Sequence, residues 1–393
     1  MGIQNYNSVD KVAITYSWNR IAYIINKSLS EKGLKTYTGD STLININLFS
    51  LLGNKCFKYS SFYDSPESFI ASLSQYLQKN DIQLLIPTHE EIYIIAKYLD
   101  KLEGIATLVP DFENILTAHL KDRSVMKAKS LGIPVPDSIF PNTEGDCLNF
   151  FKERGGVMVL KYLNSNSAKG VYYIKSIDLL EEHFQNLGSF ILQEYVVGAG
   201  YGVSALYNKG NLRARFTHKR LQDKIHTGGT STLRVGTRND MLEEWAKKLL
   251  DSLNWNGVAM VEFKYNESTG KGWFIEINPR FWGSLALPYY SGMDFPWLYY
   301  SILREGDIAP IFDYREGVKV KWLLGGAIGF VDELVHNKRL RFSHLSPKAD
   351  YYDDFSWKDP FILLGESAYY VSRFISRFSL NPTKNSYIDI GSI

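Results

Sequence analysis

A chain of 393 residues with 45% apolar composition, 26 Tyr and 22 Phe has material for about two or three domains with well-supplied cores. Its net charge of +2 argues against a nucleic-acid polyanion as main partner, and its two cysteines, Cys56 and Cys147, lie far apart without metal or redox neighbours. The N-terminus lacks a basic start followed by an apolar run, and no stretch reaches the roughly 18 apolar residues of a membrane span, so a soluble cytoplasmic protein in a reducing compartment is expected.

Residues 1–117 alternate strand and helix signals. Strands are predicted over 12–16, 34–37, 82–87 and 106–109. Helices are predicted over 20–32, 65–78 and 90–101; in the first, Ile21, Ile24, Ile25 and Leu29 keep helical spacing and Gly33 is the stop. This βαβ order implies a parallel sheet. The turn Ser17-Trp-Asn-Arg20 lacks G-x-G-x-x-G, so no dinucleotide site is expected there, and Thr88-His-Glu-Glu91 lacks the second His of a zinc helix.

A helix over 122–130 stops at Gly132 and Pro134, and 131–136 reads as an extended entry to a new domain. A short helix closes over 150–153. A strand over 157–163 carries Lys161 near its end, a polar loop leads to Gly170, and a strand follows over 171–175. A helix over 179–187 and a strand over 189–197 come next. Gly198-Ala-Gly-Tyr-Gly202 is followed by a strand, not a helix. It therefore reads as a tight strand-to-strand connection, without the helix N-terminus a pyrophosphate needs. A hairpin turn at 208–211 leads into a strand over 212–218. An amphipathic helix spans 240–253, helical spacing returns from 285, a strand lies near 317–323, and an aromatic helix covers 366–378.

The most informative stretch is 257–284. Two runs of β-formers flank the turn composition at 266–270, which makes a hairpin. If it is symmetric about Thr269, Glu262 faces Glu276 across the strands at roughly 5 Å between Cβ atoms, where like charges repel. Asn278 lies on the same face and Arg280 follows. A divalent cation such as Mg2+, which takes oxygen ligands and shares them with phosphates, would account for two acids and an amide gathered there. A surface hairpin with two solvated carboxylates is the alternative. The apolar surroundings count against it, because acids at such depth are paired or bound. Upstream, Lys161 before a flexible polar loop suits phosphate neutralisation, and Gln193-Glu-Tyr-Val196 pairs polar with apolar groups as an adenine pocket would. Read alone, these two are also compatible with an exposed Lys on a hairpin and an edge strand. No nucleophile with its base is evident.

In order, these pieces resemble the ATP-grasp superfamily over roughly residues 1–305: a βαβ domain, Gly132-Ile-Pro-Val-Pro136, strand-Lys, polar Gly loop, Gln193-Glu-Tyr-Val196, then Glu262 and Glu276-Ile-Asn-Pro-Arg280. The resemblance implies a Rossmann-like pre-ATP-grasp α/β domain over 1–117. A small α+β subdomain with a phosphate lid loop would cover 118–197, a large one with the metal hairpin 198–305, and a C-terminal extension 306–393. It implies ATP and Mg2+ (one or two ions, with Mn2+ as a substitute). Lys161 would contact the α/β-phosphates and the loop 165–170, with Ser167, Lys169 and Gly170, would cover them. Gln193, Glu194, Tyr195 and Val196 would line the adenine site. Glu262, Glu276 and Asn278 would hold the metal, and Arg280 would stabilise the transferring phosphoryl group. Relatives carry Asp-Lys where this chain has Asp122-Arg123; Arg123 keeps the charge with altered geometry. Relatives place an acid for the ribose where Tyr201 stands, which leaves that contact unassigned. The segment 218–234 looks like the substrate side, with Lys219, Arg220 and Arg234 as candidates for a carboxylate or the γ-phosphate; a solvated basic strand with a mobile loop is the alternative.

The implied activity is an ADP-forming carboxylate–amine ligase acting on small-molecule substrates through an acyl phosphate. Bicarbonate or carbamate chemistry and a non-turning-over nucleotide sensor are the rivals. Self-association into a homodimer is left open.

Overall fold

A computed structural model describes residues 10–42, 44–53, 55–163, 170–225, 228–338, 340–346 and 348–377. The first layer is a parallel sheet of β1 (Lys11–Ile14), β2 (Lys35–Asp40), β3 (Lys55–Lys58) and β4 (Leu84–Ile86), in the order β3-β2-β1-β4. Its helices are α1 (Arg20–Glu31), α2 (Pro66–Lys79) and α3 (Glu91–Lys97). The Asn19 side chain caps α1 by accepting from the amides of Ile21 and Ala22, and Ser65 caps α2 ahead of Pro66. The chain order reverses between β1 and β4, which opens a crevice at their carboxyl ends. The predicted strand at 106–109 is only a single bridge from Leu84 to Ala106. The Tyr299 hydroxyl takes both the amide and the carbonyl of Leu108, at 2.7 and 2.8 Å, so that backbone is satisfied without a ladder.

Helices α4 (Phe112–His119) and α5 (Lys121–Ser130) lead to a small antiparallel sheet. It consists of β5 (Ser138–Ile139), β6 (Met158–Tyr162), β7 (Val171–Ile174) and β8 (Phe190–Glu194), ordered β5-β8-β6-β7, with α6 (Glu144–Arg154) and α7 (Ile177–Glu181) against it. A capping box between Thr143 and Asp146 starts α6.

The largest layer is a seven-stranded sheet, ordered β13-β12-β9-β10-β11-β14-β15. Its strands are β9 (Ala199–Asn208), β10 (Asn211–Ile225), β11 (Gly228–Thr237), β12 (Gly257–Asn266), β13 (Lys271–Asn278), β14 (Lys319–Lys321) and β15 (Tyr351–Tyr352). One face packs Val203, Val261 and Phe263 against Leu242, Ala246 and Leu249 of α8 (Asp240–Asp251). After β13 come α9 (Ala286–Tyr290) and α10 (Phe295–Glu305); Phe281, Trp282 and Tyr299 share a core with Ile21, Ile24 and Ile25 of α1. That shared burial joins the parallel sheet to the large one, each buried side chain contributing about 1.5–3 kcal/mol.

One expectation is corrected. Residues 198–202 are not a tight connection: all but Gly198 lie in β9. A side chain at Gly202 would strike the His218 ring at 2.4 Å, and one at Gly200 would strike Arg220 at 2.8 Å. These glycines therefore serve close cross-strand packing. The C-terminal stretch packs on both of these layers. Strands β14 and β15 extend the large sheet, α11 (Leu323–Asn337) follows, and α12 (Ile362–Arg377) packs on residues 46–49 of the N-terminal layer.

Candidate functional site

The hairpin register puts Glu262 directly opposite Glu276, and Met260 opposite Asn278. The register slips only after Glu262, so the symmetric pairing holds where the acids sit. The Asn278 amide donates to Glu262 Oε1 at 3.0 Å and to Glu276 Oε1 at 3.4 Å, and Arg220 Nη1 lies 3.4 Å from Glu262 Oε2. Burial, then the charge of Glu276, pushes the Glu262 carboxyl up to about 7, against the pull of Arg220 and Arg280. Two carboxylates held this close suit a divalent cation, which would remove the repulsion; turning the Asn278 amide would add a third oxygen. Among the described residues no third His, Cys or acid completes a metal-binding group, so this amide oxygen matters to the fit.

Cations surround the acids. Lys161 of β6 is within electrostatic range of Glu276 and Glu262, with burial lowering its pKa. Lys264 lies on the hairpin itself, donates to the Gly198 carbonyl at 3.2 Å, and is also lowered by burial. Arg280 is 7% exposed; its Nη1 donates to the Phe281 carbonyl and its Nε is buried without a partner. Tyr93 of α3 touches it, so the N-terminal layer reaches this site.

Sequence reasoning missed Lys121. It is the first residue of α5, where the helix dipole disfavours a cation. It is 6% exposed, and burial brings its pKa down to about 8, with Glu276 opposing and Lys161 reinforcing the shift. A positive charge against the dipole and near a carboxylate is the signal that could have found it. Arg123, the predicted residue two positions on, instead lies 47% exposed and 3.6 Å from Glu113.

The predicted substrate-side cations separate. Strand alternation puts Arg220 and Arg234, which are register partners, on the face of the acid pair. Arg220 is held by Asp223, at 2.9 and 2.6 Å, and by the Gly229 carbonyl. Lys219 is turned to the opposite face. It pairs in register with Tyr201 and reaches Glu267 at 2.6 Å, the carboxylate that also accepts from Tyr201. The structure thus removes Lys219 from the site. It also accounts for Tyr201, whose hydroxyl is committed to Glu267. Arg234 is fully buried and makes two bonds to Asp353, at 2.7 and 2.6 Å. His218, in the row Glu276–Glu262–Gly202–His218, is neutral: burial, then Arg234 and Arg220, lowers it to about 3.

Elsewhere, Gln193 is buried in β8 and donates to the Ser138 hydroxyl at 2.8 Å, while the Glu194 carboxylate accepts from the Asp137 amide at 3.1 Å. Tyr195 is half-exposed, edge-on to Tyr173, and Val196 is half-buried between the small and large sheets. Gly170, at φ +69°, opens β7, and its carbonyl accepts from the Tyr162 amide. Ser167 and Lys169 lie outside the described residues.

Known proteins are similar to this chain. A family model described as ATP-grasp in the biosynthetic pathway with Ter operon matches residues 186–325. The carbamoyl phosphate synthase large chain of Thermoanaerobacter sp. (strain X514) is 25% identical over 248 residues, which is 57% of this chain but only 21% of that one. The biotin carboxylase domain dimer of Hydrogenobacter thermophilus 2-oxoglutarate carboxylase, solved with MgADP, ADP and bicarbonate, superposes with TM-score 0.63 at 14% identity, covering 80% of this chain and 74% of that one. The L-amino acid ligase of Bacillus licheniformis superposes with TM-score 0.57 at 16% identity, covering 77% and 78%. With its parallel N-terminal sheet, its small antiparallel sheet and its large mixed sheet, the chain has the fold of these solved structures, and its residues 186–325 match an ATP-grasp family model.

Proposed function

We propose that this protein is an ATP-dependent ligase that activates a small-molecule carboxylate as an acyl phosphate and joins it to an amine, releasing ADP and phosphate. The observation that carries this reading is the Glu262–Glu276 pair, half-buried, repelling, and ringed by Lys121, Lys161, Lys264 and Arg280.

Glu262, Glu276 and Asn278 would hold the magnesium. When bound, Mg-ATP supplies the phosphoryl group and the charge that offsets the two acids. Lys161 and Lys121 draw the phosphate chain toward the acids, and Gln193 to Val196 meet the base at the junction of the sheets. Arg123 lies further out, and the segment 165–170 would cover the phosphates. The free Nε of Arg280 points to a donor role toward the acid under activation. A carboxylate oxygen attacks the γ-phosphorus and ADP leaves; the amine nitrogen then attacks the acyl carbon and phosphate leaves. Arg220 holds Glu262 and Asp223 in place. Neutral His218, hydrogen-bonded to Ser284 at 3.3 Å, lines the floor without adding charge.

Coupled ADP release, measured across mixtures of carboxylates and amines, tests this. Release that requires both substrates supports it, and release with neither would sink it. A second reading, bicarbonate as the acid, draws on the carboxylase and carbamoyl phosphate synthase likenesses. ADP release driven by bicarbonate alone would favour it.

A further inference from the structure

A second charged cluster lies beside the first, and the nucleotide chemistry has no use for it. Arg20, the first residue of α1, comes from the turn at the β1/β4 crevice. Its guanidinium stacks 3.7 Å over the Trp322 ring, and its Nε lies 3.5 Å from Asp353 Oδ2. The same Asp353 carboxylate takes both bonds from Arg234. Trp322 is fixed in turn, its indole N–H donating to Glu366 Oε2 at 3.0 Å, while Glu366 Oε1 is buried without a partner. A Cβ at Gly283, three residues past Arg280, would lie 3.0 Å from Arg20 Nη2, a tight contact. The Arg20 fork therefore rests against the loop that carries Arg280.

Such a cluster is a costly way to fix a C-terminal segment. Burying two guanidiniums and their acids carries a desolvation penalty that packed apolar residues avoid. Here the charges come from three distant parts of the chain and converge beside the reaction face. The carboxylate already seated between the two arginines shows which ligand class their forks fit. Burial, then the charge of Asp354, pushes the Glu366 carboxyl up to about 8, against the pull of Arg20.

We propose that Arg20 and Arg234 form a second anion clamp that binds a carboxylate of the substrate, remote from the acid that is activated, with Trp322 and Glu366 as positioning residues and Asp353 occupying the clamp in the ligand-free chain. Calling the ligand a substrate rests on the ligase reading; the clamp itself does not. The substrate class is then a small molecule bearing two anionic groups, one presented to Arg280 and one to the clamp.

The test is a titration of the full chain, saturated with Mg-ADP, with succinate, acetate and inorganic phosphate, read by calorimetry and thermal shift. Succinate is expected to bind saturably and more tightly than acetate. Arg20→Gln is expected to weaken succinate about tenfold or more while Mg-ADP affinity stays unchanged. Asp353→Asn, which removes the charge that competes for the clamp but keeps its shape, is expected to lower Tm without ligand and to tighten succinate, with Tm restored as the site fills. Trp322→Phe gives an intermediate loss and keeps the question open to measurement should Arg20→Gln fold poorly. Succinate affinity indifferent to Arg20 and Asp353, or phosphate binding in place of carboxylate, would overturn the proposal. Arg20-dependent succinate binding with no carboxylate supporting ADP release would leave the clamp standing and remove the ligase reading instead.

Discussion

Two charged clusters share one face of the seven-stranded sheet and are built in opposite ways. At the β12–β13 hairpin like charges face each other, Glu262 against Glu276, and the cations around them leave a donor such as Arg280 Nε unused. Three strands away, opposite charges meet: Arg234 is closed bidentately on Asp353, with Arg20 alongside. The first cluster is electrostatically incomplete, so a ligand would stabilise it. In the second the charges are paired, so removing one member leaves a buried charge. Removing a charge should therefore impair function without loss of fold at the first cluster, and impair folding at the second.

The largest effect should come from the paired cluster. Arg234→Ala strips Asp353 of its main partner and should cost about 3–5 kcal/mol of unfolding free energy in urea titrations. A loss below about 1 kcal/mol would show that the pair is not closed as described. Next, Glu276→Gln should cut ADP release by about 100-fold or more, while Tm holds or rises because a repulsion is gone. Wild-type turnover in that variant would refute the metal assignment.

Lys121→Met should raise the KM for ATP by about 10–100-fold, the worth of a charge-assisted hydrogen bond, whereas Arg123→Ala should change it by about twofold at most. Equal effects would return the phosphate role to Arg123. The charge on Lys121 is present below its value of about 8 and lost above it. The KM for ATP should therefore climb as pH rises through 8, and Lys121→Arg should flatten that climb. The smallest effect belongs to Lys219→Ala. Facing away and paired with the exposed Glu267, it should move kcat and Tm within experimental scatter. A substantial kcat loss there would mean that the strand face has been misread.

Much of this was legible in the chain itself. The acid pairing needed only turn composition and strand periodicity, because antiparallel register is a local property of a hairpin. The helix at 20–32 and the aromatic helix near 366 followed from spacing and stop signals. Residues 106–109 misled because their apolar run looks like a strand, while the Tyr299 hydroxyl, nearly two hundred positions away, takes its hydrogen bonds.

The sequence by itself determined the candidate site: two acids, an amide and an arginine at fixed spacing across one turn, with a lysine strand upstream. Period-two alternation could even have separated Lys219 from Arg220, had the strand's inward face been known. Only the tertiary structure decided which face that was, that Lys121 and not Arg123 approaches the acids, and that Arg20, Arg234 and Asp353 meet. The reason is that charge pairing depends on distance in space. Residues 20, 234 and 353 come together only because α1 packs on the large sheet and β14 and β15 extend it, and no local pattern in the chain encodes that meeting.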